Sequence, residues 1–149
     1  MSIVISDTSC LIAFERIDRL DILPGLFENV FIPPAVDAEF GKGFEWLKVE
    51  YLASQGLSRL LNATLGRGES EAIALAVQLD SLLLTDDKQA RAAAEQLGLT
   101  VKGVMGVLIA AKESDYIAEI RPLIEDLETH GFRISRALRD EVLRITEEI

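Results

Sequence analysis

Residues 81–98 read SLLLTDDKQARAAAEQLG, from Ser81 to Gly98. Ser81 to Thr85 is a short apolar run of the kind buried inside a sheet. The stretch after it is rich in Ala and has the composition of a helix, with Gly98 standing as the residue just past its end. A strand followed at once by a helix is one βα unit. At the junction two carboxylates, Asp86 and Asp87, stand side by side, where each raises the cost of ionising the other. A surface turn tolerates such a pair, whereas a cluster of acids that shares a cation requires one.

Other βα units are read outward from this one. SIVIS, Ser2 to Ser6, is a β-branched run ending in Asp7 and reads as a buried first strand. TSCLIAFERIDRLDILPGLF follows as a helix, with Thr8 or Ser9 as its N-cap and a stripe of Leu11, Ile12, Ile17 and Leu20. NVFI, Asn29 to Ile32, is a second strand stopped by Pro33 and Pro34. Pro34 then opens a helix through Phe40, which sets Glu39 about one turn inside it. The segment from Lys42 to Leu61 admits a short strand at Trp46 to Tyr51 and a helix after it. Glycines at 66 and 68 precede an Ala-rich helix with Glu69 in its first turn, as the helix dipole favours. TVKG, Thr100 to Gly103, reads as a short strand and GVLIAAKESD as another helix. From Ala118 on, two amphipathic helices follow with no strand between them.

Strands alternating with helices predict α/β architecture: three layers, α/β/α, around a central parallel sheet of four to five strands. The pattern is one domain over residues 1–149, a core to about 115 with helices added from about 116. The 149 residues, 49% hydrophobic with a mean hydropathy of +0.23, suffice for a sizeable core. No apolar stretch approaches the ~20 residues a membrane helix needs. The first residues, MSIVISDTS, lack the basic segment and cleavage site of a signal peptide, so a cytoplasmic location is expected. With one cysteine, Cys10, and one histidine, His130, a zinc site of the usual Cys and His sets is excluded, and any metal must sit on oxygen. A net charge of −10 argues against nucleic-acid binding, except that acids converging on one site would be neutralised by bound cations.

The acids fall where such a site forms. Ligands of open parallel sheets bind at the carboxyl ends of the strands, where Asp7, Asp86 and Asp87 stand. Glu39 and Glu69, in the early turns of helices, are expected at the same edge. Each has an ordinary reading as well: Asp7 as an N-cap, Asp86 as a cap for the next helix, Glu39 as a solvated residue, Glu69 and Glu71 as partners of a helix dipole. Four segments delivering acid to one rim favour the cation site, because Mg²⁺ and Mn²⁺ take oxygen ligands.

These residues resemble the PIN domains, ribonucleases that depend on Mg²⁺ or Mn²⁺. The resemblance rests on Asp7-Thr8-Ser9 after the first strand, the P-x-x-x-x-E from Pro34 to Glu39, the Gly-Glu-x-Glu-Ala-Ile of Gly68 to Ile73, and Thr85-Asp86-Asp87 with Arg91 behind it. The tail Gly131-Phe132-Arg133-Ile134-Ser135 looks like that of one prokaryotic subfamily. The resemblance implies that Asp7, Glu39, Glu69 and either Asp86 or Asp87 hold the metal and carry the catalysis. Glu71, about 200° around the helix from Glu69, cannot share the ion directly but can act through water. Thr8 and Ser9 are implied to orient Asp7 or a metal-bound water, with Thr85 beside them, and Arg91 to contact a phosphate. The implied activity is endoribonucleolytic hydrolysis of RNA, in a toxin paired with an antitoxin protein and forming a homodimer. Leu123, Ile124, Leu127, Leu138, Val142 and Leu143 of the terminal helices are candidates for that interface. The alternative is an inactive member that serves as a binding or assembly module. A dehalogenase-type phosphatase would carry an acid at position 9, where Ser9 stands, and the Lys that a response-regulator receiver needs is not visible.

Overall fold

The computed structural model describes residues 2–149. Its centre is a five-stranded, all-parallel sheet in the order β3-β2-β1-β4-β5, flanked by helices in an α/β/α arrangement. The strands are β1 (Ile3–Ser6), β2 (Asn29–Ile32), β3 (Leu47–Val49), β4 (Leu82–Leu84) and β5 (Val101–Lys102). β1 occupies the middle because both its faces are covered; Val4 and Ile5 are wholly buried, as in a parallel sheet packed on two sides. The chain runs from β1 outward through β2 to β3 and then returns to add β4 on the other flank of β1. That reversal opens a crevice at the carboxyl ends of β1 and β4, where ligands of such sheets bind. Backbone bonds close the two strand ends against each other, Asp7 N–H donating to Leu84 O at 3.1 Å.

The helices are α1 (Thr8–Arg16), α2 (Ile22–Leu26), α3 (Pro34–Phe40), α4 (Gly56–Leu61), α5 (Arg67–Leu79), α6 (Lys88–Gln96), α7 (Val104–Glu113), α8 (Arg121–Thr129) and α9 (Arg136–Ile145). Two readings of the sequence need correction. The long helix expected after β1 is two, since Asp18 adopts a left-handed φ of 56° and ends the first. Its N-cap is Asp7, whose carboxylate accepts from Cys10 N–H at 2.9 Å, and neither Thr8 nor Ser9 fills that role.

The terminal helices belong to the same core as the sheet. Leu123, Ile124, Leu127, Val142 and Leu143 are buried there together with Val4 and Leu84. They are therefore not available as a dimer interface; of the six residues considered for one, Leu138 alone is exposed, at 46%. Glu148 fastens the end of the chain. Its carboxylate accepts from Lys112 Nζ at 2.8 Å, from Ile120 N–H at 2.7 Å and from Arg121 N–H at 2.9 Å. Among the described residues no helix is long and apolar enough to cross a membrane.

Candidate functional site

Asp7 is set by two local demands, the end of a buried strand and the start of a helix. Ending β1 buries it to 2% exposure, and capping α1 occupies its Oδ1 with Cys10 N–H. Burial pushes its carboxyl above the usual carboxylate range, the nearby Asp86 adds to the rise, and hydrogen bonds from the Thr85 side chain and Cys10 oppose it. Thr85, fully buried at the end of β4, also accepts from Asp87 N–H at 3.2 Å, so one hydroxyl links the ends of the two central strands. A threonine suits that position: its hydroxyl can donate to one acid and accept from the backbone beside another.

Glu69 reaches the same crevice from α5. It is the third residue of that helix, and its Oε1 accepts from Gly66 N–H at 3.3 Å, which aims the side chain back toward the helix start. Desolvation raises its carboxyl above the usual range, and the neighbouring charges of Asp87, Asp7 and Glu39 add to the rise. Asp7, Glu69 and Thr85 line one small crevice floored by Ala72, Ile73 and Ala90. Acids from four separate segments thus lie within electrostatic range of one another.

Glu39 arrives differently from the expectation. It lies about one turn inside the short α3, as expected, but it reaches the site through side-chain contacts and not through the helix start. Thr8 Oγ1 donates to its Oε1 at 2.5 Å, and the carboxylate lies so close over Gly68 that a Cβ there would stand 2.2 Å from it. Gly68 is the residue that lets α3 and α5 approach at this point. Thr8 therefore orients Glu39, while the expected partner of Asp7 proves to be Thr85.

The two aspartates of the TDD segment have separate positions. Asp87 is the N-cap of α6, accepting from Ala90 N–H at 2.8 Å, and its charge acts on Glu69 more strongly than that of any other acid. Asp86 does not cap α6. Its Oδ2 accepts from Val104 N–H at 3.0 Å at the start of α7, with the Cys10 thiol 4.0 Å away, and Gly103 leaves room for it: a Cβ there would meet Oδ1 at 2.0 Å. Burial together with Asp7 and Asp86 holds the Cys10 thiol well above its ordinary pKa, so it stays protonated as a small core residue.

Three further candidates lie around this centre. Glu71 is buried with its Oε1 on Ala35 N–H at 3.0 Å and its Oε2 3.6 Å from Arg67, so its carboxylate serves the start of α3 on a face apart from Glu69. Ser9 is exposed on α1 and lines a groove beside Asp86. Arg91 donates to Thr85 O at 3.4 Å and Val101 O at 3.5 Å, tying the ends of β4 and β5 together. The sequence did not mark the roles of Gly68 and Gly103; each makes room for an acid from a distant segment, Glu39 and Asp86, and is readable only once that segment's place is known.

The donor set is oxygen alone, the chemistry that hard divalent cations select. Two of its members, Asp7 and Glu69, hold their protons more tightly than free carboxyls do, through burial first and then through the charges of neighbouring acids. Among the described residues no three of these groups are gathered closely enough to grip an ion, so sharing one requires the carboxylates to turn toward each other.

A parallel sheet with this strand order and acids at its switch point places the chain in the class of α/β proteins whose ligands bind at the carboxyl edge. Comparison with known proteins narrows the class. A family model described as a PIN domain, DUF3368, matches residues 3–148. The chain belongs to the PIN-domain family, whose members are generally nucleases. Among solved structures it is similar to a PilT N-terminus domain protein from the hyperthermophilic archaeon Sulfolobus solfataricus P2. That match has a TM-score of 0.54 at 22% identity and covers 74% of this chain and 93% of the other, a likeness of fold. No protein of curated function matches the chain.

Proposed function

We propose that this protein is a divalent-metal-dependent endoribonuclease in which Asp7, Glu39, Glu69 and Asp87 hold Mg²⁺ or Mn²⁺ and Asp86 borders the same site. The observation that carries the reading is the position of Glu69, near enough to Asp7, Glu39 and Asp87 for each to disfavour its ionisation. Acids so placed keep their charges in the folded state at a cost that a cation offsets. Such an ion, when bound, supplies an activated water and stabilises the charge that develops on the leaving oxygen. The chain's own residues do the positioning. Thr85 fixes Asp7, Thr8 fixes Glu39, the Gly66 amide fixes Glu69, and the Ala90 amide fixes Asp87. No side chain is required as a nucleophile.

RNA as substrate follows from the family, and so does the further proposal that the protein is the toxin of a toxin–antitoxin pair, with an antitoxin covering the acidic rim. The test is cleavage of an end-labelled single-stranded RNA with Mn²⁺ or Mg²⁺ by the native chain and by Glu69→Gln. Cleavage by the native chain that disappears in the variant supports the reading. Equal cleavage by both would assign the activity elsewhere, and no cleavage by either under both metals would favour the inactive, binding form.

A further inference from the structure

The cations of this acidic chain are unevenly used. It has 25 acids against 15 Lys and Arg, so a basic side chain can ordinarily find a carboxylate. Six do so: Arg19, Lys42, Arg67, Lys112, Arg139 and Arg144. Of the basic side chains that make no hydrogen bond or ion pair among the described residues, Lys48, Arg59 and Arg136 are scattered elsewhere and four remain: Arg16, Lys88, Lys102 and Arg133. These four line two grooves that meet beside the acid cluster.

The first groove, about 330 Å³, runs along α1 and holds Ser9, Arg16, His130 and Arg133. The second, about 560 Å³, is lined by Lys88, Lys102 and Arg133, by one further acid, Glu141, and by the apolar Met105, Ile109 and Val142. Asp86, Phe132 and Arg133 border both. Phe132 and Arg133 therefore stand between the grooves, and Asp86 marks the side of each that faces the acids. The local sequence pins them there. Gly131 takes a left-handed φ of 90°, Phe132 N–H returns to Leu127 O at 2.9 Å to close the end of α8, and Ser135 caps α9 through Leu138 N–H at 3.1 Å. Phe132 is half-buried, one part of its ring against the core and the rest open to the grooves.

We propose that a single-stranded RNA lies across this ridge, with phosphates at Arg16, Lys102 and Arg133 and a base against Phe132. The proposal deepens the nuclease reading and rests on it for placing the scissile bond at the acids. Cations alternating with an aromatic face are how proteins hold single strands: the charges track the backbone and every base has a flat face to stack. An acidic peptide satisfies the cations but leaves the ring without a partner, and brings carboxylates against the acid rim.

Binding can be read without hydrolysis. In EDTA, the anisotropy of a fluorescein-labelled eight-nucleotide oligouridylate is followed against salt for the native chain, Arg16→Gln, Arg133→Gln, Phe132→Leu and Arg136→Gln. Arg136 is also unpaired but lies outside both grooves and serves as the control. Each groove arginine variant is expected to bind about fivefold more weakly, with the slope of log K against log salt reduced by about 0.7. Phe132→Leu keeps an apolar group on the core and is expected to lose about tenfold in affinity at unchanged slope. Arg136→Gln should match the native chain. The proposal is overturned if both groove arginine variants bind as the native chain does, or if a poly-glutamate peptide displaces the RNA at equal concentration. Native binding that depends on the groove residues, without cleavage in Mn²⁺, would remove the nuclease reading and leave the strand site standing.

Discussion

Asp7 must cap a helix, end a buried strand and lie near Asp86, so its protonation is coupled to folding. Burial raises its carboxyl, so the folded chain binds that proton more tightly than the unfolded chain does. The stabilisation this gives is complete below the unfolded pKa and is lost as pH rises through the folded one. Metal-free protein is therefore expected to lose stability as pH climbs through and just above the normal carboxylate range. Asp7→Asn, which still caps the helix, should flatten that dependence and unfold later than the native chain at neutral pH; urea titrations in EDTA at several pH values read it. Glu69 is shifted in the same direction, and Glu69→Gln should act alike though more weakly, being half-exposed. Thr85 tests the positioning role. Thr85→Val removes a buried hydroxyl that serves Asp7 and the Asp87 amide, and should cost about 1–3 kcal/mol in denaturant unfolding and about 10- to 100-fold in cleavage rate.

At the scale of elements, α3 and α5 deliver two of the acids, and Gly68 sets how closely they meet. Gly68→Ala adds a Cβ under the Glu39 carboxylate while gaining up to about 1 kcal/mol of helix propensity. The expected outcome is unchanged or higher thermal stability with cleavage sharply reduced, because Glu39 is displaced and the helix is not harmed. Stability and activity falling together would mean that Gly68 matters to the packing of the two helices instead. What the sequence made legible here is physical in origin. Strand ends and helix starts carry their own chemical marks, so Asp7, Glu69 and the Asp86–Asp87 pair could be placed at the carboxyl edge from spacing alone. Helical periodicity likewise separated Glu71 from Glu69. Glu39 was expected there from its place near a helix start, whereas its approach depends on Thr8 and on contact with a helix nearly thirty residues away. The division of labour between Asp86 and Asp87 was hidden for a similar cause: one caps its own helix, while the other reaches Val104, which lies on a different element.

For the whole molecule, the C-terminal helices complete the core that positions the sheet edge, and the amphipathic pattern that suggested a dimer interface is spent on that packing. Apolar periodicity marks a face that must be covered without saying by what. Glu148 holds this arrangement closed. Burial alone would raise its carboxyl, but bonds from Lys112 and from the Ile120 and Arg121 amides outweigh that and hold it below the ordinary range. Its stabilisation is present above the unfolded pKa and lost as pH falls through the folded one. Glu148→Ala should cost about 1–3 kcal/mol near neutral pH, and the difference from the native chain should shrink in acid; thermal unfolding across pH checks both. The proposal that acids from α3, α5 and the ends of β1 and β4 form one cation site is read without hydrolysis by calorimetric titration with Mn²⁺. It predicts saturable binding to the native chain that is abolished in Asp7→Asn and in Glu69→Gln, with both variants folded. Binding of the same strength in all three proteins would contradict it.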